Sequence, residues 1–249
     1  MILRKAFSKS VVRRVFSISV SALLVSFAAC ACSPGGGDNN TGSNNGGNGG
    51  GTSSASAKPE LTLGTFQNGV YENPYFGFKI NIPSNWHIAT QDEIDQINQV
   101  GNDPSITATS LTQTPENLAK QKLLSLIYAF KNEFANVKAG ETNAGLQVVA
   151  ENLTVSGTPQ AAEADYLDSI KQQIGGDVGY VSEPAATRTI GSAAFTVLKA
   201  ANSQSGLDMA FYCKKVGDYM LTVITTCPRG DADAQALLER SVASIALKE

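Results

Sequence analysis

The 249-residue chain has one histidine, one tryptophan and four cysteines, and each scarcity removes a class of chemistry. With His87 as the only imidazole, no two-histidine metal motif can form. No spacing of Cys, His and carboxylates matches a zinc site or a calcium loop. No G-x-S-x-G elbow occurs, nor a Ser-x-x-Lys with its companion motifs, and any serine triad would have to draw on His87. The folded part has no basic block and no basic stripe interleaved with aromatics, so nucleic acid is not an expected partner. These gaps predict no enzyme, no metal and no cofactor.

What the chain does have begins at its N-terminus. Arg4, Lys5, Lys9, Arg13 and Arg14 precede an uncharged run over 15–29 that stops at Cys30. A cationic segment followed by an apolar one of about fifteen residues suits a secretion signal and is short for a spanning helix of roughly twenty. Small residues before the thiol read as a lipoprotein cleavage box, so residues 1–29 are expected to be removed and Cys30 to carry lipid such as palmitate. Cys32 is the alternative anchor, since Ala29-Cys30-Ala31 also precedes it with small residues. Phe27, the bulky apolar residue three places before Cys30, favours the first. An ordinary cleaved signal without lipid is the competing reading. Arg13-Arg14 partly matches a twin-arginine export signal but lacks the usual Ser or Thr before the pair, which favours general secretion.

Residues 30–58 follow as the anchor and a run of Gly, Asn, Ser and Thr with almost nothing to bury. Such a segment is expected to act as a flexible tether averaging roughly 25 to 30 Å end to end. Residues 59–249 are the length of one ordinary domain. The leader takes five of the 19 basic residues and none of the 22 acidic ones, leaving the mature chain at a net charge of −8. That sign repels nucleic acid and anionic lipid headgroups, so contact with the membrane is expected through the lipid alone.

Periodicity gives both structure types. Residues 71–82 place Phe76, Phe78, Ile80 and Ile82 in alternation, which predicts one half-buried strand ended by Pro83. A short helix is expected over 92–100 on Ile94, Ile97 and Val100. Another is expected after Thr114, with Pro115 at its first position. Residues 123–131 fit either type. Strands are expected at 146–153, 178–182, 193–201, 207–215 and 219–226. Between the first two of these lies a helix with Thr158 as its cap, Pro159 at its first position, a stripe of Tyr166, Leu167, Ile170 and Ile174, and a stop at Gly175-Gly176. The last helix starts at Asp231 or Asp233, acids that suit the positive end of a helix dipole, and turns Ala234, Leu238, Val242 and Ile245 inward. Helices that bury one face around hairpin-joined strands make an α+β sandwich with a mostly antiparallel sheet.

Gly69-Val70-Tyr71, Asn73, Phe76-Gly77-Phe78 and Ile82-Pro83-Ser84-Asn85-Trp86 together resemble the opening of PsbP-like domains, and later elements follow the order seen in bacterial lipoproteins of that kind. These include Glu151-Asn152-Leu153, Asp165-Tyr166-Leu167, an entry over 191–195 and the Gly217-Asp218-Tyr219 hairpin. The resemblance spans nearly the whole domain on short motifs. It implies a central antiparallel sheet with helices on both sides, and 123–131 as a strand. Photosynthetic members assist assembly of the oxygen-evolving complex, a role nothing in this sequence matches.

Among candidate site residues, Tyr71, Tyr75 and Trp86 form an aromatic set that would suit a sugar or protein surface if exposed, with core packing as the alternative. His87 reads as a surface or packing residue. If Gly217-Asp218 is a two-residue turn, Cys213 lies opposite Thr222 and Cys227 about 17 Å further along its strand. Disulfide Cα separations seldom exceed about 7 Å, so the two thiols are expected to stay separate. The sequence therefore describes an extracytoplasmic, lipid-anchored module on the cell membrane that binds or assembles an envelope protein or cell-surface ligand. The alternatives are an envelope enzyme with a site built from dispersed residues, or a lipoprotein that binds a small ligand or carbohydrate.

Overall fold

The computed structural model describes residues 59–100, 113–138, 141–176 and 179–248. The signal sequence, Cys30, Cys32 and the tether lie outside the described residues. The chain opens with strands β1 (Thr65–Gln67), β2 (Val70–Asn73), β3 (Phe78–Asn81) and β4 (His87–Ile88), followed by helices α1 (Gln91–Val100) and α2 (Pro115–Leu118). Strands β5 (Leu123–Phe130) and β6 (Gly145–Asn152) come next, then helix α3 (Glu163–Gly176). The C-terminal part holds β7 (Val181–Ser182), β8 (Ala186–Ile190), β9 (Ala193–Asn202), β10 (Leu207–Val216), β11 (Tyr219–Pro228), α4 (Ala232–Ala243) and β12 (Ala246–Leu247).

Every described strand pairing is antiparallel. Eight strands form a large sheet in the order β4-β5-β6-β11-β10-β9-β7, with β8 also on the outer side of β9. Four short ones form a second sheet, β1-β2-β3-β12. The molecule is therefore α+β on a mostly antiparallel sheet. Strand alternation divides the apolar side chains between two clusters. Phe195, Val197, Leu221 and Val223 join the small sheet and Ala234, Leu238 and Val242 of α4. Leu198, Phe211, Cys213 and Ile224 join Tyr166, Leu167, Ile170 and Ile174 of α3 and Ile94 and Ile97 of α1. Successive side chains of a strand point to opposite faces, so the large sheet is the wall between two cores.

Two expected elements differ in detail. Residues 71–82 are a hairpin and not one strand, because Asn73 Oδ1 accepts from the backbone N–H groups of Tyr75 and Phe76 and turns the chain. Gly77, at φ 61°, completes that turn with its N–H on Pro74 O. The helix expected from Thr158 begins instead at Glu163. Lys215 Nζ donates to the carbonyls of Pro159 and Ala161, which ties the stretch before the helix to the end of β10. Strand β5 lies where the sequence left two choices open. Asp231 caps α4 by accepting from Ala234 N, and Thr90 with Glu93 forms a reciprocal capping box at α1.

Candidate binding groove

Helix α4 covers only part of the sheet face beneath it. Beyond its edge lies a groove of about 500 Å³. Its floor comes from β9, β10 and β11: Lys199, Ala201, Ala210, Tyr212, Thr225 and Cys227. Gln235, Leu238, Glu239 and Val242 of α4 form one wall, and Val181 and Glu183 the other. The register explains the grouping, since Val181 pairs with Ala201, Asp208 with Cys227 and Ala210 with Thr225, and paired residues share a face. Three small floor residues, Ala201, Ala210 and Thr225, leave the space that larger side chains fill further along the sheet.

The groove is polar and of mixed charge. Arg229 and Asp208 close one end with a 2.7 Å ion pair. Burial pushes the Tyr212 hydroxyl up, against the opposing pull of nearby Arg188 and a hydrogen bond with Thr225. Burial, then the Asp231 carboxylate, raises the Cys227 thiol, so this sulfur is held protonated and weakly nucleophilic. Behind it, Lys131 Nζ reaches Asp231 Oδ2 at 2.6 Å, and this contact, followed by the Ala234 N–H, holds that carboxyl below its ordinary value.

His87 sits elsewhere, on the edge strand β4. Its Nε2 lies 2.8 Å from Glu93 Oε2 and its Nδ1 4.0 Å from Glu133 Oε1. The histidine thus ties β4 to the start of α1. Cys227 is three strands away in the sheet order, about 14 Å at normal strand spacing, so imidazole and thiol do not form a couple. A second polar group is buried on the α3 side. Glu151, 2% exposed, accepts from Ser156 Oγ and from Tyr166 OH at 2.9 Å, and Cys213 Sγ lies 3.3 Å from Thr222 Oγ1. Burial raises the Glu151 carboxyl and pushes the Cys213 thiol up to about 12.

The expected aromatic surface is corrected. Tyr71 and Trp86 are 1% and 5% exposed and belong to the core beneath α4. Tyr71 is carried inward by β2 of the small sheet, and Trp86 by the turn after Pro83, where its backbone N–H donates to Pro83 O; both rings join the cluster between the two sheets. Tyr71 OH donates to Leu63 O, and burial holds its hydroxyl well above the usual phenol range. Tyr75 remains half-buried, edge-on to Phe76 and Tyr219 at 5.0 and 6.0 Å between ring centroids. Sequence reasoning missed Tyr212, Lys199 and the groove, whose parts come from five separated segments.

Both described thiols are free. The register has Cys213 opposite Thr222, as expected. Cys227 is five residues further on and so on the other face: Cys213 lies in the cluster beneath α3, while Cys227 packs against that beneath α4.

No protein-family model matches the chain, and no curated protein matches it. Similar solved structures include PsbP (CyanoP) of Synechocystis sp. PCC 6803, 12% identical over 72% of this chain and 91% of that one, with a TM-score of 0.39. LpqN, involved in cell envelope biogenesis of Mycobacterium tuberculosis, is 6% identical over 69% of this chain and 83% of that one, with a TM-score of 0.38. The Ran-binding protein Mog1p of Saccharomyces cerevisiae is 10% identical over 69% and 90%, with a TM-score of 0.31. Likeness at this level assigns neither partner nor activity to the chain.

Proposed function

We propose that the chain is a lipid-anchored, extracytoplasmic module of the cell membrane that binds an envelope partner at the groove beside α4 and does not catalyse a reaction. In this reading helices cover both faces of the large sheet, α3 on one and α4 on the other, and the partner meets the part that α4 leaves open. The observation that carries binding over chemistry is the separation of reactive groups. The one imidazole is held between two glutamates on β4, and the groove thiol is kept protonated three strands away. The leader supports the location through its cationic start, apolar run and Cys30.

Photocrosslinking in intact cells tests the binding site. A photoreactive residue at Lys199 in the groove should give a discrete adduct with an envelope component, and one at Lys171, exposed on α3, should not. Equal labelling from both positions, or none from Lys199, rejects the groove. The enzyme alternative predicts a different result. Any hydrolytic or transfer activity that vanishes in a folded His87→Ala protein would favour it, whereas on the binding reading that variant keeps its adduct and loses about 1 kcal/mol of stability or less.

A further inference from the structure

The wall of the groove opposite α4 is also a free sheet edge. Strands β7 and β8 both pair with β9, and no described strand pairs with their outer side. Ala186, Thr187, Arg188 and Thr189 of β8 are all exposed, and Val181 of β7 is 77% exposed. An edge of this kind presents unpaired N–H and C=O groups in a row, and natural folds usually blunt it with charge, proline or bulges. Here the blunting is limited to two features. The register slips by one residue between β7 and β8, around Pro184, and Arg188 is the single charge on β8.

Which groups face outward follows from the hairpin. Ile190 pairs with Ala193 around the two-residue turn Gly191-Ser192, with Gly191 at φ 60°. The pair closing such a turn exchanges both hydrogen bonds, so Arg188 and Ala186 also bond to β9. The N–H and C=O groups of Thr187 and Thr189 then point to the open side. The turn itself is pinned, with Ser192 Oγ donating to Leu247 O and no room for a Cβ at Gly191, 2.6 Å from Ile245 O. The edge is therefore preformed at one end.

Resting on the binding reading above, we propose that β8 is a docking strand for an extended acidic segment of the envelope partner, which adds to the large sheet with a carboxylate against Arg188. Strand addition supplies main-chain hydrogen bonds, while alternate side chains supply specificity. Arg188 pairs with Phe195, so its guanidinium is on the groove side of the sheet, and no ion pair within the described residues occupies it. A second copy of this chain fits less well. Antiparallel self-pairing centred on the five residues of β8 sets Arg188 opposite Arg188, and like charges directly opposite are destabilising.

Two synthetic heptapeptides test this on the full lipidated chain in detergent: alternating threonine and valine with a central glutamate, and the same peptide with a central lysine. The glutamate peptide should bind at least tenfold tighter and slow hydrogen exchange at Thr187 and Thr189. Arg188→Glu should reverse the preference, and Thr187→Pro, which removes an outward donor and no bond to β9, should abolish binding of both. Equal affinities, or protection confined to β1 or β4, would overturn the proposal. So would protection of Thr187 and Thr189 by dimerisation without peptide. The Lys199 adduct is scored separately, so loss of strand docking with a retained adduct refutes this inference alone.

Discussion

A single residue, Glu151, sets much of the chemistry on the α3 side. Its carboxyl is raised by burial even though Ser156 and Tyr166 both donate to it, so desolvation outweighs the hydrogen bonds. A raised carboxyl binds its proton more tightly folded than unfolded. The folded state is therefore favoured by this group at low pH, and that advantage is lost as pH rises from the ordinary carboxylate range through the raised folded value. Glu151→Gln removes the titration. The urea midpoint of the parent, measured relative to the variant, should fall between pH 4.5 and pH 8. A constant difference across that range would show that the carboxyl ionises as readily folded as unfolded.

At the scale of elements, turns divide what the sequence revealed from what it concealed. The Gly217-Asp218 hairpin was readable because two apolar strands flank two turn residues, and the register of ten pairs follows from it. Asn68-Gly69, both at positive φ and joining β1 to β2, is an equally strong hairpin signal that the alternation over 71–82 obscured. Two-residue strands such as β4 and β12 have no periodicity to detect. The groove was not legible because it is made by what α4 fails to cover, and no local pattern encodes an absence of contact. Tyr71 and Trp86 were legible as aromatic but not as buried, since that depends on how the two sheets pack together.

Glycine tests this description of the turns. Gly191 and Gly206 both have φ above 60° or at it, yet a Cβ at Gly191 meets Ile245 O at 2.6 Å and one at Gly206 meets nothing within 4 Å. Gly206→Ala should cost about 1 to 2 kcal/mol from backbone strain alone. Gly191→Ala should cost more, and should also speed hydrogen exchange in β12, because the C-terminal segment must move aside. Equal unfolding midpoints for the two variants would mean that this contact relaxes freely.

For the whole molecule, the main expectation concerns attachment. Cys30→Ala with Cys32 retained should release the protein from the membrane or leave an uncleaved precursor, read by fractionation and intact mass. Unchanged acylation would move the anchor to Cys32. No helix among the described residues is long and apolar enough to cross a membrane, so such a release would not be masked by a described helix.

Both ends of the described chain lie at one end of the molecule. Thr62 O accepts from Asn73, whose turn carries Tyr75 against Tyr219, and Lys248 N donates to Gly77 O in that same turn. The groove floor from Thr225 to Pro228 is about 20 to 30 Å along β11 from Tyr219. An attachment at either terminus therefore acts on the body like a handle at the far end of a rod. The handle end is held near its support and the groove sweeps the widest arc, so a carrier domain or surface fused at either end leaves the groove accessible.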